Sequence, residues 1–161
     1  MTPPIVLDNT VLTNFALVKR AEWVIGLLGD GAWTTTAALG EYEAGVADGT
    51  LPPAVWQALV VVTPTNEETL LAHGWRPRLG VGERTCLAVA LLRQAILASD
   101  DRRARRMAQQ QGVPVTGTIG LLVIGVQQQR WLLTEANAAL AEMITWGFHS
   151  PVTRLDDLMA V

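Results

Sequence analysis

Residues 96–115 read ILASDDRRARRMAQQQGVPV. An apolar run, Ala95 to Ala98, stops at Ser99 and two adjacent aspartates, Asp100 and Asp101. Arg102 to Gln111 then runs without glycine or proline to Gly112, and a second apolar run, Val113 to Thr116, begins immediately after it. An apolar run, a polar stop, a helix-length segment and a second apolar run make a strand–helix–strand unit. A crossover of this length joins parallel strands.

The same order extends in both directions. Toward the N-terminus, Ile5–Leu7, Ala32–Thr34 and Val60–Thr63 read as strands, each a continuous apolar or β-branched run with no alternation. Between them lie a helix through Leu17 capped by Asn9 or Thr10, a helix over Glu22–Leu28 closed by Gly29, and a helix from Thr35 or Thr36 to about Val46. Asn66 is expected to cap Glu67–His73, Gly74–Gly82 to form a loop, and Glu83–Gln94 to form an Ala/Leu-rich helix. Toward the C-terminus, Thr118–Gln129 and Thr134–Thr145 read as helices, with Gly147 closing the second and a last short helix at Asp156–Leu158. Strands without a polar face are buried on both sides. The expected fold is therefore α/β, a three-layer α/β/α sandwich around a central, mostly parallel sheet.

At 161 residues, half of them apolar, the chain reads as a single domain over 1–161 with a core large enough to need no staples. Cys86 is the only cysteine, so no intrachain disulfide is possible, and a reducing, cytoplasmic setting is expected. There is no signal-peptide pattern or spanning segment, so no membrane association is expected. The formal net charge is -3. That weighs against simple nucleic-acid binding, where phosphate contacts demand cations. The basic residues are nevertheless concentrated. Eleven of the twelve are Arg and four lie between Arg102 and Arg106, and Arg is the better phosphate and bidentate partner.

In an open parallel sheet, ligands bind beyond the carboxyl ends of the strands. Asp8 follows the first strand and Asp100 the fourth. Glu41, in LGEYEAG, and Glu83, in GVGERTC, lie near the N-terminal halves of helices. Four carboxylates facing one cleft cannot all stay ionised without a cation. A hard divalent ion, Mg²⁺ or Mn²⁺, suits oxygen ligands. The only histidines are His73 and His149, so there is no zinc pattern. Each acid also has a structural reading: Asp8 and Asp100–Asp101 as helix starts, Glu83 as a response to the helix dipole, and Glu41 or Glu43 as solvated surface. The Arg run reads equally as a solvated face. Trp33, Trp56, Trp131 and Trp146 read as core or dimer surface. Trp75 reads as a packed loop anchor rather than a base-stacking ring, and Cys86 as a small buried hydrophobe.

The ordered set IVLDNTVLTNF, TTTAALGEYEAGV, GVGERTCLAVALL and ILASDDRRARRMA followed by GVPVTGTIGLLV resembles the PIN domain family of metal-dependent ribonucleases. The last two segments are similar to small prokaryotic members related to the toxin halves of toxin–antitoxin modules. By that resemblance Asp8, Glu41, Glu83 and Asp100 match the catalytic acidic quartet. Asp8, Glu83, Asp100 and Asp101 are the implied Mg²⁺ or Mn²⁺ ligands, with Asp101 replacing or supporting Asp100 and Glu43 an alternative to Glu41. Thr118 takes the place of a polar residue near the metal. Arg102, Arg103 and Arg106 are the implied contacts to RNA or a partner. The implied activity is endonucleolytic hydrolysis of RNA, with an antitoxin protein partner and a homodimer expected. The alternative is a catalytically silent PIN-like module that binds RNA or a partner protein. A phosphoryl-accepting receiver domain is disfavoured because Lys19, the only lysine, lies in the first helix region.

Overall fold

A computed structural model describes residues 2–159. The strands β1 (Ile5–Leu7), β2 (Ala32–Thr35), β3 (Val60–Val62), β4 (Ile96–Ala98) and β5 (Val115–Thr116) form one sheet in the order β3-β2-β1-β4-β5. Every pairing is parallel, so the sheet is wholly rather than mostly parallel. The register places Leu7 beside Ala98 and Ala98 beside Thr116. The helices are α1 (Asn9–Leu17), α2 (Ala21–Leu28), α3 (Thr36–Ala47), α4 (Asn66–His73), α5 (Val81–Leu92), α6 (Arg102–Gln110), α7 (Thr118–Gln127) and α8 (Leu133–Thr145).

The strands are short, and successive side chains leave the sheet on opposite faces. Ile5, Leu7, Ala32 and Ala98 enter a core with Phe15, Tyr42, Trp56, Leu121 and Leu140 from one helical layer. Val6, Val62 and Leu97 enter a second core with Trp75, Leu87, Val89 and Met107 from the other. This two-sided burial explains why the strands carry no polar alternation. α5 is buried from Thr85 through Ala90 because it lies across the middle of its layer.

Several element ends differ from the sequence reading, each for a local reason. α1 is capped by Asp8, not Asn9 or Thr10, because the Asp8 carboxylate accepts from the Thr10 and Val11 amides. α4 is capped by Thr65, not Asn66, and Glu68 at its third position reaches back to the Thr65 amide. α5 begins at Val81, inside the expected loop, because the Glu83 carboxylate reaches back to accept from the Gly80 amide, with no side chain on Gly80 to return the bond. It stops at Leu92, since Gln94 turns into the left-handed region at φ 56°. Only Val115–Thr116 of the fifth apolar run pairs as strand. Trp75 is buried as a loop anchor, whereas Trp146 is exposed rather than core. Cys86 is buried beside Thr35 and the Leu7 carbonyl. No described helix is long and apolar enough to cross a membrane.

From β1 the chain moves outward through β2 and β3, then returns to β4 and β5 on the other side. The reversal lies between β1 and β4, and beyond their carboxyl ends a crevice opens. Asp8 and Asp100 stand at those two strand ends.

Candidate active site

Asp8 is fully buried. Its Oδ1 accepts from the Thr10 amide at 3.0 Å, the Thr10 hydroxyl and the Val11 amide at 3.4 Å. Its Oδ2 is buried with no hydrogen-bond partner among the described residues. A buried carboxylate oxygen without a donor is costly. Desolvation pushes the Asp8 carboxyl up to about 7. The Ser99 and Thr10 hydroxyls pull it down, and the charges of Asp100 and Glu83 add to the rise. Asp8 is thus the cap of α1. Oδ1 holds the helix, whereas Oδ2 is enclosed at the end of β1 without a hydrogen bond among the described residues.

Thr10 joins the two strand-end acids, because its hydroxyl donates to Asp8 and accepts from the Asp100 amide at 2.8 Å. Asp100 is held on three sides. Thr118 gives its amide to Oδ1 at 2.9 Å and its hydroxyl to Oδ2, and Asn14 donates to Oδ2 at 2.9 Å. Asn14 also donates to the Thr118 hydroxyl. Asp100 is half-buried at the crevice. Asp101 turns away to cap α6 through the Ala104 amide at 2.9 Å. Of the two aspartates, Asp100 is therefore the residue that sits with Thr118 and Asn14.

Glu41 projects from α3 onto the start of α5, where its Oε1 accepts from the Gly82 amide at 2.7 Å. A Cβ on residue 82 would lie 2.7–2.8 Å from the Glu41 carboxylate, so this approach requires glycine. Glu43, one of the two residues left open by the sequence, is exposed. Glu83 Oε2 accepts from Gly80 at 3.2 Å. Desolvation raises its carboxyl, the charges of Asp101 and Glu41 raise it further, and Arg103 opposes them. Asp8, Glu83 and Asp100 come from three distant parts of the chain and act on one another electrostatically, with Glu41 and Asp101 at the Glu83 side.

Over residues 4–160 the chain matches a family model described as a PIN domain. The chain belongs to the PIN domain family. PIN domains are in general nucleases that hydrolyse phosphodiester bonds, typically with a divalent metal. No curated protein matches the chain.

The acids of this PIN domain suit a hard divalent cation. Asp8, Glu41 and Glu83 each spend one oxygen on a backbone amide and keep the other free of protein donors. The buried Asp8 Oδ2 accepts no hydrogen bond among the described residues, and the nearby Ser99 hydroxyl offsets only part of the cost of burying the carboxylate. Among the described residues, however, no three acidic, histidine or cysteine side chains converge tightly enough to hold one ion together.

Of the basic residues expected at the site, Arg102, Arg103 and Arg106 are exposed on α6. Arg105 was not singled out by the sequence reading, yet it is the arginine that turns inward. Its Nη1 donates to the Ser99 and Thr116 carbonyls, both at 2.8 Å, tying the ends of β4 and β5. Asn14 and Ser99 were missed as well. Asn14 could have been found, because it lies four residues after Thr10 on the same helical face. Arg105 and Ser99 carry no sequence signal of their own.

Proposed function

We propose that this PIN domain, acting as a single domain, is a Mg²⁺- or Mn²⁺-dependent endoribonuclease and the toxin of a toxin–antitoxin pair. The observation that carries the proposal is the unpartnered, fully buried Asp8 Oδ2 at the switch point of the sheet, flanked by Asp100 and Glu83. A protein keeps such a group when a cation compensates it, and a water-activating divalent ion does so while serving phosphodiester hydrolysis.

Asp8 and Asp100 are the proposed principal holders of the ion, and Glu41 and Glu83 complete the acidic wall. When bound, the ion would supply activation of a water and compensation of charge on the leaving oxygen. The chain's own part is to orient. Thr10 fixes Asp8 relative to the Asp100 amide, and Thr118 and Asn14 prevent Asp100 from rotating. Gly82 fixes Glu41. Arg102, Arg103 and Arg106, exposed beside these acids, supply the positive rim that a net charge of -3 does not advertise. They would contact RNA phosphates or the antitoxin, and the proposed homodimer would present two such rims.

The test is cleavage of a mixed RNA pool with Mg²⁺ or Mn²⁺ by wild type and by Asp8→Asn, with both confirmed as folded. Cutting that needs the ion and disappears in Asp8→Asn is the expected result. Folded wild type that leaves an enlarged pool intact under both ions refutes the nuclease reading.

A further inference from the structure

Three cavities surround Asp100, and Asp100 and His149 are the two residues that line all three. The largest apolar walls belong to a cavity of about 550 Å³, faced by Ile119, Phe148, Val152 and Leu158, with Arg105 and Thr116 on its polar side. The adjoining cavity, about 620 Å³, is lined by Arg102, Arg105, Arg106 and Gln109. The outer wall of both is the segment after α8, which begins where Gly147 takes φ 113° and turns the chain back over the sheet ends. None of these wall residues belongs to the acidic set.

Together the cavities have the layout of a nucleotide. A half-apolar pocket bearing an aromatic ring suits a base. The adjoining arginine-lined trough suits phosphate. Asp100, with the acids behind it, stands at the junction. Arg105 adds a specific point. Its guanidinium is held by two carbonyls and makes no ion pair with a carboxylate among the described residues. A guanidinium fixed in this way retains N–H donors for an anion.

We propose that the segment Phe148–Leu158 forms, with Ile119, a pocket for one unpaired RNA base next to the scissile bond, while His149, Arg105 and Arg106 hold the flanking phosphates. The inference rests on the nuclease reading and adds to it a specificity-determining subsite. Its occupant is a single-stranded nucleotide, because an unpaired base enters a pocket without the unstacking and unpairing cost of about a few kcal/mol that a duplex base incurs. Phe148 supplies the stacking face, and its half-burial against the first core keeps it in place.

The test is binding of short, non-cleavable 2′-O-methyl oligoribonucleotides, one each of A, C, G and U, by the full chain without divalent metal. Three variants are compared with wild type: Phe148→Leu, which keeps the core contact, His149→Ala, on an exposed side chain, and Arg106→Gln. Phe148→Leu should weaken the best-bound oligonucleotide by roughly tenfold and flatten the preference among the four. Arg106→Gln and His149→Ala should weaken all four alike, and Arg106→Gln should also reduce the salt dependence. Folded Phe148→Leu with wild-type affinity and wild-type base preference overturns the proposal, even if the protein cuts RNA. So does a wild type that binds none of the four. Base-selective binding that depends on Phe148, in a protein that leaves RNA intact with either Mg²⁺ or Mn²⁺, would retain the base pocket and remove the nuclease reading.

Discussion

Replacing Asp8 by Asn should stabilise the metal-free protein at neutral pH, and the gain should vanish in acid. Burial raises the Asp8 carboxyl from an ordinary 3.8 to about 7. Between those values the folded chain holds a proton that the unfolded chain has released. Stability therefore falls as pH rises through this window, and the loss levels off above the folded value. At about 1.4 kcal/mol per unit, the full loss is about 4 kcal/mol. The asparagine side chain carries no charge, can still accept the Thr10 and Val11 amides, and removes the repulsion with Asp100 and Glu83. Urea titrations with chelator present should then show Asp8→Asn more stable than wild type by about 3–4 kcal/mol near pH 8, and nearly equal to it near pH 4. Adding Mn²⁺ or Mg²⁺ should narrow the gap at pH 8. An ion bound to the folded state at about 100 times its Kd contributes about 2.7 kcal/mol to wild type and little to the variant. A variant less stable than wild type at pH 8, or a difference independent of pH, would show that Asp8 carries no such penalty and would remove the main support for a cation there.

Other perturbations test the rest of the site. Thr118→Val removes the hydroxyl from Asp100 Oδ2. Metal-dependent cleavage should drop about 10–100-fold, with weaker Mn²⁺ binding by calorimetry and a thermal shift of only a few degrees. Wild-type activity in that variant would exclude Asp100 orientation as a requirement. Gly82→Ala places a methyl 2.7–2.8 Å from the Glu41 carboxylate. That carboxylate is the end of a flexible side chain and can move, so stability should change little while cleavage falls by more than about tenfold, since small misplacements at a reacting centre are costly. Equal activity would exclude Glu41 from the chemistry. Away from the site, Glu68 is buried and paired with Arg93 at 2.8 Å, and the Arg93 hydrogen bond lowers its carboxyl below the ordinary range. Its contribution is present above the unfolded value and lost as pH falls through the folded one. Glu68→Gln should therefore cost about 1–3 kcal/mol near pH 7, read by urea titration, and less in acid.

The sequence alone determined the layer pattern of this PIN domain. Unalternated runs such as IVL and ILA have no polar face, so water must be excluded from both sides, and only a covered parallel sheet does this for short strands joined by helices. It also determined that Asp8 and Asp100 stand at strand ends, because a charge terminating a buried run has no other exit. Tertiary structure alone decided the rest. Strand order set β1 against β4 and so brought together two acids separated by most of the chain. That Glu41 rather than Glu43 reaches the Gly82 amide depended on which face of α3 meets α5, a contact between elements that neither local pattern encodes. The difference between Asp100 and Asp101 arose from their partners, since Thr118 and Asn14 hold the Asp100 carboxylate while Asp101 caps α6. The arginine run was legible as charge, but only the packing of α6 against β4 and β5 selected Arg105 to turn inward. The reason is common to all of these cases. Periodicity fixes which residues a segment must bury, whereas the partner of a polar side chain is set by the neighbouring element, and that neighbour is chosen by the fold.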